Sequence, residues 1–467
     1  MCSDPNQKVR IKKRGERMGI GFIALVVFIG LIIFWSAVLK RNIGEAMIVG
    51  FIVTALFGGA DAPRLIWEGL VFGATNEVLF AAMAFVFMAY LIDKTLIINK
   101  LVEILNSLLG RLPGGAAHVS TFGSALMGMI SGSGSGNTAS VGSITIPWMI
   151  RSNWKKEQAA TIAAGNAGLG TIFPPSGSMF ILLGFAPIAA VVSEGQLYIA
   201  MLVAGTYQVV YRIILISWFV YRNKIKALPA DFIQPLKQSF RIGWTSLFIF
   251  LGIIIPVLIT IGPLAESLIA NPSVGGEAMD GISLIVWVPV LIIFISLLVG
   301  FAKLPKSAPD WSEFLKKSMP GFSVIGVLLL FAFAASEVLG QLGLAEDLTS
   351  LMESLNLAPW LIVLLVGVLV VLVAGPLSST ATLTAVGLVS FSALVSAGVE
   401  PVVAVIALLM FSSTEGASPP SSAPIFIASG IAGAEPEKTF IPLVVYYVIP
   451  IFILGYLMAM GILPLPI

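Results

Sequence analysis

Two stretches of this chain are too long and too free of charge to be single membrane helices. Leu112 to Ile150 runs 39 residues, and Ser354 to Val399 runs 46, without one Asp, Glu, Lys or Arg. Laid out as one helix each, they would measure roughly 60–70 Å, about twice the ~30 Å hydrocarbon core. Each must turn near its middle, and both middles are small and polar: Ser131-Gly-Ser-Gly-Ser-Gly-Asn-Thr138 and Gly375-Pro-Leu-Ser-Ser-Thr380. The turn either lies at mid-membrane, making a re-entrant hairpin, or joins two complete spans through an uncharged external loop. The flanks of each stretch agree in sign. Arg111 precedes the first and Arg151, Lys155 and Lys156 follow it; Glu346, Asp347 and Glu353 precede the second and Glu400 follows it. Basic flanks stay cytoplasmic, so the first stretch opens to the cytoplasm and the second to the outside. A turn at mid-membrane leaves backbone groups unpaired, which is tolerated only inside protein or beside a watery cavity.

The rest of the chain is of the same kind. Of its 467 residues, 58% are hydrophobic and 11% charged, against about 25% charged in a soluble domain. Gln158 to Ser193 and Thr439 to Ile467 are also uncharged. This composition excludes a water-soluble enzyme. The net charge of +2 gives no reason to expect nucleic acid, and the single cysteine, Cys2, excludes a disulfide framework. One histidine, His118, excludes a multi-histidine metal site. The first apolar run, Gly19 to Leu39, is too long for a signal peptide core and reads as a retained helix.

Ordinary spans are expected at 19–39, 43–60, 78–93, 197–221, 243–261, 283–301, 321–338 and 441–462. The connection 222–241 carries Arg222, Lys224, Lys226, Lys237 and Arg241 and is cytoplasmic; its segment 227–241 serves as the linker between halves. Lys303, Lys306, Lys316 and Lys317 make 302–317 cytoplasmic too, whereas 262–281, with Glu266, Glu277 and Asp280, is external. After each hairpin comes an apolar segment interrupted by Pro-Pro, at Pro174-Pro175 and Pro419-Pro420. Proline removes a donor and clashes one turn back, so each segment should be a broken helix. The fold expected is all-α and polytopic: two inverted repeats, each of three spans, a re-entrant hairpin, a broken helix and one further span. The first repeat is 19–226, with hairpin 112–151 and broken helix 157–190. The second is 242–467, with hairpin 356–399 and broken helix 401–431. This scheme places the N-terminus outside, in conflict with the basic tail 1–18 and its Lys8, Arg10, Lys12, Lys13, Arg14 and Arg17.

A helix that stops inside the membrane offers free amides, partly positive, or free carbonyls, partly negative. Amide ends suit carboxylates; carbonyl ends with Ser, Thr and Asn oxygens suit Na⁺. Symmetry predicts two cation sites with an anion between them. The first would use Ser135, Gly136, Asn137 and Thr138 with Pro174, Pro175 and Ser176. The second would use Ser378, Ser379 and Thr380 with Ser418, Pro419 and Ser421. Asn137, Ser176, Thr380 and Glu415 are the candidates for contact with substrate or coupling ion. A single small-polar cluster is more often a packing surface; four clusters in paired order favour ion sites. Glu415 in a buried break could bind a cation, carry a proton or sit in a water-filled vestibule. Trp148, Trp218 and Trp360 read as interface anchors. No Arg or Lys sits in the breaks themselves.

The stretch Ile130-Ser-Gly-Ser-Gly-Ser-Gly-Asn-Thr-Ala-Ser-Val-Gly-Ser-Ile-Thr-Ile-Pro-Trp-Met149, then Gly170-Thr-Ile-Phe-Pro-Pro-Ser176, preceded by Leu108-Leu-Gly-Arg-Leu-Pro-Gly-Gly115, resembles the large membrane subunit of tripartite ATP-independent periplasmic (TRAP) transporters. The second half is looser, and Glu415 stands where that family would have a small or apolar residue. The resemblance implies a Na⁺-driven importer of small organic acids, such as C4-dicarboxylates, in the inner membrane, moving by an elevator mechanism. It implies two partners, a small four-helix membrane subunit and an extracytoplasmic substrate-binding protein. No cofactor is implied beyond Na⁺ as coupling ion. The architecture is also similar to Na⁺/divalent-anion carriers of the wider superfamily, which need no binding protein. An embedded enzyme would need convergent nucleophiles, bases or metal ligands, which the apolar segments lack. A channel would have no need of an inverted repeat with paired breaks.

Overall fold

The apolar runs become helices. The computed structural model describes residues 19–131, 133–271, 274–344, 346–347, 350, 357–420 and 422–466. The basic tail 1–18 and Ser421 lie outside the described residues. Every regular element among the described residues is helical. Among the described residues six helices are long and apolar enough to cross a membrane: Glu77–Thr95, Glu194–Asn223, Ala230–Thr260, Leu284–Lys303, Ser379–Ser396 and Glu437–Ala459. A seventh candidate is the pair Ala308–Pro320 and Ile325–Gln341, bent by 45°. The chain is a multi-pass helical membrane protein.

Several elements differ from the sequence expectation. The run 43–60 ends as a helix at Leu56, and a further helix, Ala62–Thr75, follows it. That helix carries Arg64 and Glu68, so no apolar run betrays it; it buries Leu65, Gly69 and Gly73 and packs on the long helix Ala308–Gln341. Helix Ile97–Leu109 lies just before the first hairpin, with one buried apolar face and Lys100 and Glu103 elsewhere on it. The linker contains a helix, Leu236–Gly243, continuous through a 3₁₀ stretch into Leu251–Thr260. The span expected at 321–338 starts much earlier, because Ser307 caps a helix from Ala308, its Oγ accepting from the Asp310 amide at 3.3 Å. Trp148 is not an interface anchor: it is 8% exposed inside the core, whereas Trp218 and Trp360 are 40% and 50% exposed.

Two helix pairs organise the centre. Gly115–Ser131 packs on Gly134–Arg151, and Pro359–Ala374 packs on Ser379–Ser396. Each pair is followed by a helix interrupted at Pro-Pro. The first reads Lys156–Asn166, Leu169–Ile172 and Gly177–Leu183; the second reads Pro401–Ser412, Glu415–Ala417 and Ala423–Ala432. The peptides Pro174-Pro175 and Pro419-Pro420 are both cis. The lead halves of both broken helices are buried on all sides, from Ala159 to Asn166 and from Val402 to Ser412. Ser379–Ser396 is also an inner helix, 72% buried along its apolar window against 28–50% for the other five long spans.

Candidate functional site

Each hairpin turns on a serine. Ser133 begins the helix Gly134–Arg151, its Oγ accepting from the Gly136 amide at 3.2 Å; Ser378 begins Ser379–Ser396, its Oγ accepting from the Ala381 amide at 3.2 Å. Such caps satisfy one orphan donor and leave other first-turn amides facing the break. Four residues beyond each cap stands a fully buried polar side chain, Asn137 or Thr382. Asn137 donates its Nδ2 to the Ser124 carbonyl at 2.9 Å and to the Ala167 carbonyl at 3.5 Å. Its Oδ1 has no protein partner, and neither does the Thr382 hydroxyl. Buried oxygens without a donor are uncommon and call for a ligand, ion or water.

The candidates proposed from sequence divide. Thr138 returns its hydroxyl to the Gly134 carbonyl at 3.0 Å, while Ser135 and Gly136 are half-buried at the tip. Pro174 and Pro175 are buried, and Ser176 closes their break: its Oγ donates to the Thr171 carbonyl at 2.8 Å and accepts from the Met179 amide at 3.2 Å. On the other side, Ser418 donates to the Thr414 carbonyl at 2.9 Å, and Pro419 is half-buried. Thr380 is half-buried, and the residue in register with Asn137 is Thr382, which sequence reading passed over. Counting from the serine cap would have found it, but the position of the cap was visible only in the fold.

Ser379 and Glu415 tie the units together. The Ser379 Oγ lies 3.0 Å from the Ser412 carbonyl and 3.0 Å from Glu415 Oε2, and it accepts from the Thr171 hydroxyl at 3.3 Å. A Cβ placed on Gly134 would lie 3.0 Å from Glu415 Oε2. The carboxylate therefore sits by the starting turns of both tip helices, where partial positive charge collects. The two halves meet at this point: Thr171 of the first break bonds the second tip, and Glu415 of the second break reaches the first tip. The lead halves cross closely enough that Gly168 admits no side chain, since its Cβ would collide with the Ser413 carbonyl.

One residue from an apparently ordinary span joins them. Arg212, on Glu194–Asn223, is 0% exposed. Its Nη2 donates to the Gly165 carbonyl at 2.9 Å, and its Nη1 donates to Gln208 Oε1 at 2.8 Å. Gln208 Nε2 donates to the Ser413 Oγ at 2.9 Å. The breaks' own residues hold no Arg or Lys, yet a guanidinium reaches them from a neighbour. An arginine in the middle of an apolar run was the available signal.

Helix pairs, interrupted helices and a buried polar centre define a multi-pass helical membrane protein with a polar core. Residues 20–462 match the family described as tripartite ATP-independent periplasmic transporter, DctM component. The chain belongs to that family, the large membrane subunit of TRAP transporters. It is 23% identical over 366 residues to the isethionate TRAP transporter permease protein DctMQ of Oleidesulfovibrio alaskensis, an alignment covering 77% of this chain and 54%, about half, of that protein. It is 22% identical to the C4-dicarboxylate TRAP transporter large permease protein DctM of Pseudomonas aeruginosa, covering 82% of this chain and 84% of that one. The ectoine large permease protein TeaC of Halomonas elongata is 24% identical over 37% of this chain and 41% of its own. The fold is similar to that of Neisseria gonorrhoeae MtrF, whose structure was presented as illuminating a class of antimetabolite efflux pumps. The TM-score is 0.62 at 14% identity, over 86% of this chain and 85% of that one.

Proposed function

We propose that this chain is the permease of a Na⁺-coupled importer of small organic acids in the inner membrane. It works with a separate small membrane subunit and an extracytoplasmic binding protein. The observation that carries the reading is the convergence of two serine-capped tips and two Pro-Pro breaks on one buried network, Thr171–Ser379–Glu415, flanked by the orphan oxygens of Asn137 and Thr382. Those oxygens, with nearby carbonyls, are the hard donors Na⁺ takes, and the amide-rich tips suit a carboxylate. Na⁺ held there would couple movement of the substrate to the inward Na⁺ gradient. The protein's own part is to hold the donors in place and to exclude lipid and bulk water around them. In this reading the helix pairs are re-entrant hairpins of an inverted repeat, opening to opposite sides, and the unit carries substrate by elevator movement. The relatives named for isethionate, C4-dicarboxylate and ectoine support a small acidic or zwitterionic cargo.

The test is uptake into liposomes under an imposed Na⁺ gradient, with and without the small subunit and a candidate binding protein. Uptake should require all three chains and an inward Na⁺ gradient. Uptake by this chain alone would favour the stand-alone carrier, and uptake indifferent to Na⁺ would remove the coupling ion. In a Cys2→Ser background, cysteines at Leu112 and Glu400 should be labelled from opposite sides; labelling from one side sinks the inverted arrangement.

A further inference from the structure

Among the described residues, Arg212 and Glu415 are the only Asp, Glu, Lys or Arg side chains in the buried class. The ion pairs found elsewhere all join side chains at least 40% exposed. Arginine keeps its charge in proteins, and a lone buried charge is heavily penalised unless compensated. Arg212 has no carboxylate in contact: its partners are the Gly165 and Gln208 carbonyls, the Gln208 side-chain oxygen and the Tyr447 ring, 5.6 Å from the guanidinium carbon. Its Nε has no partner. Gln208 presents its oxygen to the guanidinium and its amino group to Ser413, two residues before Glu415 on the same break. The amide dipole is thus oriented head to tail between a fixed cation and the segment that carries a fixed anion.

We propose that Arg212 is a positioning residue, the resident counter-charge of Glu415, acting through Gln208 and Ser413. The pair makes the centre of the two breaks net neutral before any ion or substrate binds. Its consequence for transport rests on the Na⁺ reading above and has a sign. Removing the guanidinium leaves the carboxylate uncompensated and strengthens Na⁺ binding, whereas removing the carboxylate weakens it.

The experiment is a double-mutant cycle on the purified full chain, read by thermal unfolding in NaCl and in choline chloride. Arg212→Met and Glu415→Gln should each lower the melting temperature in choline, and the double variant should lose clearly less than the sum of the two. Gln208→Leu, which keeps both charges but removes the relay, should lower it as well. The rise in melting temperature on adding Na⁺ should grow in Arg212→Met and shrink in Glu415→Gln, with the half-saturating Na⁺ moving at least threefold in opposite directions. If Arg212→Met does not yield folded protein, recovery of folded protein in the double variant supports the pairing. An additive double variant, or one that fails to fold while Glu415→Gln folds, overturns it. Absence of any Na⁺ effect on the unmodified chain rejects the coupling-ion reading, and the choline cycle still decides the pair.

Discussion

The two hairpin-and-break units differ in charge at one register position. Counting back four residues from the first proline of each Pro-Pro pair gives Gly170 in the first unit and Glu415 in the second. In the first, Gly170 is pressed against Gly128 of the hairpin arm so closely that a Cβ on Gly128 would collide with its Cα. In the second, a carboxylate occupies the equivalent place, bonds Ser379 and approaches Gly134. The same backbone interruption thus serves as a contact surface in one unit and as a charged centre in the other. The difference teaches that two similar pairs of helix and break can share a frame, while a single side chain decides which of them carries charge.

The largest expected effect tests the shared frame. Gly168→Val places a side chain where the Ser413 carbonyl lies; overpacking costs about 1–3 kcal/mol and more against backbone. The folded yield after size-exclusion should fall at least tenfold, whereas Gly177→Ala, with open space at its Cβ, should express normally. A well-folded Gly168→Val would mean the two breaks do not cross so closely.

Next comes the charged position itself. Glu415→Gln removes the charge and keeps the shape. Losing a buried polar contact costs ~1–3 kcal/mol, so Na⁺ affinity in uptake assays should weaken by roughly five- to hundredfold. Identical Na⁺ curves would leave Glu415 without a role in coupling. Asn137→Ala removes the corresponding polar group of the first unit, including its bond to Ser124, and should produce a shift of similar size. If only one of the two variants responds, the units are functionally unequal.

A smaller contrast separates neighbours on the second tip. Thr382→Val removes the orphan buried hydroxyl, whereas Thr380→Ala alters a half-buried residue. The first should change half-saturating Na⁺ several-fold and the second by less than twofold; the reverse order would return the second site to Thr380. Smallest in stability, Ser133→Ala and Ser378→Ala each remove one helix cap, worth about 0.5–2 kcal/mol, and should lower the melting temperature by a few degrees.

Much of this molecule was determined by sequence alone, because its strongest signals are local. Uncharged runs longer than the bilayer force the chain to turn, and Pro-Pro must break a helix wherever it falls. Those two facts single out Asn137, Ser176, Ser379, Glu415 and Ser418. The helix Ala62–Thr75 escaped because its charges interrupt the apolar pattern, although its Gly69 and Gly73 are buried against the helix Ala308–Gln341. Trp148 looked like an anchor because it stands near a basic flank; the fold put that helix end inside. What only the tertiary structure decided is which breaks meet. The bond from Thr171 to Ser379 spans 208 positions, and the approach of Glu415 to Gly134 joins opposite halves. Arg212 reaches Gly165 across 47 positions and Ser413 only through Gln208. Such contacts depend on how whole helices cross, and crossing is set by side-chain packing along their full length, which no local pattern of residues records.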